Sequence, residues 1–160
     1  MADNKIIYGN TSSVKTSILE RMKEYIDNIY APGSFIPTEI SEMMKEVTID
    51  TNKEVAVFID RKNRVLAMAL GDDRSVPLPE LEGKRSNLRL CGIRCIHTHP
   101  NGGVRPSDVD IQSLKSMRYD AMVVIGVDVT QKIATGVSAT VLTRNETGLL
   151  LNYEFRGPYS

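Results

Sequence analysis

Ile93-Arg94-Cys95-Ile96-His97-Thr98-His99-Pro100-Asn101-Gly102-Gly103-Val104-Arg105-Pro106-Ser107-Asp108-Val109-Asp110-Ile111 passes from a short apolar run, through a turn rich in proline and glycine, into a helix start. Ile93 to His97 predicts a strand. Residues two apart on a strand share a face, so the chain's two histidines, His97 and His99, present both imidazoles to one side. Pro100 disfavours helical backbone at His99 and keeps the pair extended until Pro100-Asn101-Gly102-Gly103 turns the chain. Ser107 to Met117 then predicts a helix with Ile111, Leu114 and Met117 along one side.

An isolated H-x-H has an ordinary alternative, two histidines exposed at a strand end or hydrogen-bonded in a core. The continuation adds a carboxylate, Asp110, at the start of the next helix. Two histidines and one carboxylate form a familiar catalytic zinc set that leaves a fourth position for water. Ser107 and Asp110 also fit a capping box, S-x-x-D ahead of an apolar stripe, with the acid favoured by the helix dipole. Both readings stand for Asp110, and an oxygen held by a metal is not free for a cap.

On the N-terminal side, Val14, Ile18, Met22, Ile26 and Ile29 recur at helical spacing behind Thr11, Ser12 and Ser13, which predicts a helix over 11–30. Ala31-Pro32-Gly33-Ser34 ends it, and a second helix is expected from about Thr38 with Ile40, Met43, Met44 and Val47 inward. These stripes are read as core, not as a cofactor box. Val55 to Ile59 and Val65 to Leu70 flank the polar turn 60–64 and predict a hairpin whose first strand is buried on both faces. The charged segment Gly71 to Arg89, with Pro77 and Pro79, predicts a long surface loop of a length that suggests function. Ala121 to Val127, Ile133 to Thr143 and Leu149 to Phe155 predict three further strands, the last two separated by the turn 144–148.

Helix, helix, strands, helix, strands is the order of a three-layer α/β domain with a mixed sheet flanked by helices. The expected organisation is one domain over 1–160, with helices in 1–50, sheet and metal site in 54–155 and a tail at 156–160. A chain of 160 residues with 41% apolar and 25% charged content is an ordinary globular composition. Twenty basic and twenty acidic residues cancel, and no cluster of like charge offers nucleic acid or an anionic membrane a footprint. The first residues lack the basic start and apolar stretch of a signal peptide, and no apolar run approaches the roughly 18 residues of a membrane span, so a cytoplasmic location is expected. Cys91 and Cys95 are too few and too close for a disulfide framework, and without a second pair at finger spacing they are read as reduced packing residues.

His97-Thr98-His99, seven residues, Ser107, two residues, Asp110 is similar to the signature of the JAMM (MPN+) metalloprotease-like family. The resemblance implies zinc, one ion per chain, on His97, His99 and Asp110. It implies that Glu54, which opens Glu54-Val55-Ala56-Val57-Phe58-Ile59-Asp60, is the general acid/base, and that Ser107 hydrogen-bonds the oxyanion of amide or isopeptide hydrolysis. The glycine that the family carries a few residues after its glutamate is absent here, and Glu54 as a solvent-facing strand opener stays open beside the catalytic role. The same ligand set would accept iron, nickel or manganese. A zinc nucleobase deaminase would need H-x-E and a downstream P-C-x-x-C, and a barrel hydrolase about 200 residues or more.

A longer string, Leu90-Cys91-Gly92-Ile93-Arg94-Cys95-Ile96-His97-Thr98-His99-Pro100-Asn101-Gly102 with Asp120 to Val127 downstream, looks like the N-terminal extension of clostridial-type HflX GTPases, and more distantly like RadC-type proteins. That resemblance implies a piece of a larger, ribosome-associated protein. GTP and Mg2+ would then be handled elsewhere, since no G-x-x-x-x-G-K-[ST] loop occurs in the chain. Two functions follow: a zinc-dependent peptidase acting on a protein or peptide partner, or a regulatory module that keeps a structural or vestigial metal. The loops Gly71 to Arg89 and Asn101 to Pro106 would set specificity in either.

Overall fold

The computed structural model describes residues 5–72, 76–78, 90–142 and 150–155, with the backbone alone at 142 and 150–155. The segment Gly71 to Arg89 beyond those limits, the turn 144–148 and the tail 156–160 lie outside the described residues. The elements are β1 (Ile7–Gly9), α1 (Thr16–Lys23), α2 (Thr38–Thr51), β2 (Val55–Asp60), β3 (Val65–Leu70), β4 (Ile93–His99), α3 (Asp108–Met117), β5 (Ala121–Asp128), β6 (Ile133–Leu142) and β7 (Leu150–Phe155). The strands form one seven-stranded sheet in the order β1-β3-β2-β4-β5-β6-β7. Two pairs, β1 with β3 and β4 with β5, are parallel, and the rest are antiparallel. The sheet is mixed and the fold is a three-layer α/β sandwich.

Alternation along the strands builds the two outer layers. Val55, Val57 and Ile59 of β2 join Ile96 of β4 in one cluster with Met22 of α1 and Ile40, Met43, Met44 and Val47 of α2. Ala56 and Phe58 join Ile93, Cys95 and Met122 in the other, under Leu114 of α3. Met22, Met43 and Met44 are at most 1% exposed, and full burial of such a side chain stabilises by roughly 1.5–3 kcal/mol. The predicted inward stripe of α2 is therefore core. Cys95 is buried and Cys91 partly buried, and neither is in a disulfide.

The first helix departs from its prediction. It spans Thr16–Lys23 with Lys15 at the N-cap, so neither 11–13 nor 24–30 is helical. Tertiary hydrogen bonds win over the periodicity: Asp27 N donates to Val65 O, Val65 N to Asn28 O, and Tyr30 N to Asn63 O. Residues 27–30 are thus captured by the 60–65 turn and strand, with Asp27 at positive φ, and Ile29, predicted inward, is 64% exposed. A three-residue strand, β1, precedes the helix and was too short to carry a periodic signal. In the β2–β3 turn, Asp60 Oδ1 accepts from Lys62 N and Arg64 N. Arg94, on the α1/α2 side of β4, is buried and donates to Asp60 O at 2.9 Å, to Phe35 O and to Asn63 Oδ1, which anchors the 31–36 segment to the sheet.

Candidate metal centre

β4 lies between antiparallel β2 and parallel β5, with His97 opposite Ala56 and Val124 and His99 opposite Gly126. Ile93 and Cys95 share the parity of the two histidines and pack on the α3 side. His97 and His99 therefore face α3, at the C-terminal ends of the parallel β4–β5 pair, where open α/β sheets usually place ligands. Ser107 caps α3 and delivers Asp110, in its first turn, to the same point.

There three donor atoms converge. His97 Nε2 is 3.1 Å from His99 Nε2 and 2.9 Å from Asp110 Oδ2, and His99 Nε2 is 3.4 Å from that oxygen. Ligands about 2.0–2.1 Å from a tetrahedral ion stand roughly 3.3 Å from one another, so the triangle has the size of one face of such a site. Glu54 stands at the start of β2, and one of its oxygens and one ring nitrogen of each histidine all lie within 4.8 Å of one another. Glu54, His97 and His99 could hold a metal ion, and Asp110 lies closer to both imidazoles than that limit. His97 and Asp110 are fully buried, while His99 keeps an edge to solvent.

The predicted cap at Asp110 is formed, and the carboxylate still faces both histidines. Ser107 Oγ accepts from Asp110 N at 3.1 Å and Ser107 N donates to Asp110 Oδ2 at 2.9 Å, which completes the capping box. The oxygen that accepts from Ser107 N is the one facing both histidines. Burial alone would raise the Asp110 carboxyl, but hydrogen bonds to His97 and His99, the charge of His97 and the Ser107 N–H outweigh it and hold the group far below the usual carboxylate range. Asp110 is thus an anion in a buried site, a state that calls for cationic or hydrogen-bonding company. Ser107, an acceptor towards Asp110 N, still has its own hydroxyl proton to give to a ligand oxygen.

The opposite face of β4 fixes the histidines' register. Thr98, between them in sequence, points to the α2 side, where its Oγ1 lies 2.6 Å from Thr48 Oγ1 and accepts from Val55 N at 2.9 Å. Both threonines are fully buried. One hydroxyl thus ties α2, β4 and the residue next to Glu54 together. Thr98→Val, isosteric but without the hydroxyl, is expected to cost about 1–3 kcal/mol in urea unfolding, because Val55 N and Thr48 lose a buried partner. Thr98→Ser is expected to restore most of it.

The turn after His99 is built onto the neighbouring strands. Gly102 has φ +82°, Thr135 Oγ1 donates to Gly102 O at 2.6 Å, and Ser138 Oγ donates to Val104 O. A methyl at Gly126 would lie 2.6 Å from Gly102 O and 2.9 Å from Val104 Cγ1, so only glycine lets the turn approach β5 this closely. His99, Ser107 and this turn border an open cavity of about 550 Å³.

Set against known proteins, the chain matches no family model, no curated protein and no solved structure. The structure brings all five predicted site residues, Glu54, His97, His99, Ser107 and Asp110, to one end of β4. Sequence reasoning missed Thr98, Gly126, Thr135 and Ser138. For Thr98 a signal existed, since its parity in H-T-H puts it on the face opposite the imidazoles; for the others only the strand register reveals the contact. No helix among the described residues is long and apolar enough to cross a membrane.

Proposed function

We propose that this chain is a zinc-dependent amide hydrolase of the JAMM type. The observation that carries this reading is the convergence of His97 Nε2, His99 Nε2 and Asp110 Oδ2 within 3.4 Å of one another beside Glu54. His97, His99 and Asp110 would hold the ion, and for each Nε2 to face it the ring proton must sit on Nδ1. When bound, zinc supplies a Lewis acid that polarises a carbonyl and makes water nucleophilic near neutral pH. Glu54 accepts the proton of the attacking water on its carboxylate and returns it to the leaving nitrogen. The Ser107 hydroxyl donates a hydrogen bond to the oxyanion from the cavity side, with its own oxygen fixed by Asp110 N. The open cavity at His99 and Ser107 admits an extended peptide segment. On the separate resemblance of Leu90 to Gly102 and Asp120 to Val127, the chain would be a part of a larger HflX-type, ribosome-associated GTPase, with GTP and Mg2+ bound outside these residues.

The test is hydrolysis by zinc-loaded protein of a mixed peptide pool and of lysine ε-amide conjugates, read by mass spectrometry. Stripping the metal with a chelator is expected to abolish cleavage, and added zinc to restore it. Cleavage that survives the chelator would sink the metal mechanism. Stoichiometric zinc with no cleavage of any amide would leave a metal-keeping regulatory module.

A further inference from the structure

The cavity bordered by His99 and Ser107 is also lined by Gly102, Gly103 and Arg105. Its volume, about 550 Å³, is that of a site for a small ligand or a few peptide residues. Arg105 is the one lining side chain with a permanent charge; beside it stand neutral groups such as Asn101, Val104 and Thr135. Among the described arginines, Arg21, Arg61 and Arg64 each meet a carboxylate, of Glu46, Asp120 and Asp27. Arg94 is buried against carbonyls. Arg105 is exposed and, among the described residues, forms no ion pair.

Its backbone, by contrast, is held. Val104 on one side has its carbonyl fixed by Ser138, and Pro106 on the other has a ring-locked φ and leads into the Ser107 cap. Further back, Gly103 N donates to Asn101 Oδ1 at 2.8 Å and Gly102 N to His99 O at 3.2 Å. The guanidinium is carried by a stiff wall two residues from the proposed oxyanion donor. A planar fork of donors so placed matches a carboxylate, which it can grip with two parallel hydrogen bonds.

We propose that Arg105 selects substrates bearing a carboxylate next to the scissile amide, an Asp or Glu side chain or a free C-terminus. This rests on the hydrolase reading above and deepens it. The test uses alanine-based hexapeptides in which one Glu is moved along the chain, each paired with its Gln counterpart and made with free and amidated C-termini. Hydrolysis by the zinc-loaded chain and binding to it by calorimetry are both measured. In the wild type, kcat/KM is expected to be about 10–100-fold higher for the carboxylate at one position, a ratio set by a charge-assisted hydrogen bond. A preference tied to the Glu position identifies a side chain, and one tied to the free terminus identifies the C-terminal carboxylate. Arg105→Gln is expected to bring the ratio close to one, mainly through KM, and Arg105→Glu to invert it in favour of a Lys-bearing peptide, with zinc content at the wild-type level. Hydrolysis indifferent to the carboxylate, or a preference that survives Arg105→Gln, overturns the inference and leaves the hydrolase standing. Binding that depends on both carboxylate and Arg105, without hydrolysis, upholds the subsite and sinks the hydrolase. Neither binding preference nor hydrolysis overturns both.

Discussion

Protein in which His97 and His99 are both alanine is expected to purify without metal, where the proposed site predicts about one zinc per wild-type chain by mass spectrometry. Both imidazoles point Nε2 at Asp110 Oδ2, so the double variant leaves only the carboxylates of Asp110 and Glu54 at the site, a set expected to hold zinc far more weakly. The fold also pays part of the cost. His97 is fully buried, and its loss opens a cavity and deprives the buried Asp110 anion of a donor, a combination worth about 2–5 kcal/mol. His99→Gln separates the two effects, because that side chain is 14% exposed and glutamine can fill its space. It is expected to stay folded by circular dichroism and to weaken zinc by more than the roughly 10–100-fold that outer hydrogen-bond partners cost. Unchanged zinc content in a folded His99→Gln protein would place the metal elsewhere.

Glu54→Gln is expected to have the second large effect and, on the general-base reading, to act on chemistry alone. The side chain keeps its shape and loses its basicity, so turnover is expected to fall by about 10²–10⁴-fold, the usual contribution of a positioned general base. Zinc content and melting temperature are expected to stay at wild-type levels. If zinc is lost along with activity, Glu54 is a ligand of the ion, a role its distance to the histidines also permits. Turnover equal to wild type would remove Glu54 from the mechanism and point to another proton carrier at the site.

Much of the fold and of the cluster at the end of β4 is legible in the sequence. Period-two parity placed His97 and His99 on one face, the S-x-x-D cap placed Asp110 at a helix start, and the apolar run at 55–59 marked a strand covered on both sides, as β2 is. What stayed hidden was whatever depends on a partner distant in sequence. The stripe over 11–30 looked helical because local spacing knows nothing of Val65 and Asn63, which claim residues 27–30 for the sheet. Likewise nothing in the string Thr98 names Thr48 or Val55, fifty and forty-three positions away. The cap at Asp110 does not by itself preclude ligation, because a carboxylate oxygen has more than one lone pair, and the oxygen that accepts from Ser107 N also faces His97.

That shared oxygen links occupancy of the site to the integrity of a helix. Whatever draws Asp110 Oδ2 towards a cation or away from one also changes the grip on Ser107 N, and so the first turn of α3 and the turn that carries Arg105. Release of an ion held there would be a local unfolding event, with a free energy of its own, whose first signs would be faster amide exchange at Ser107 and Asp110 while the sheet beneath stays protected.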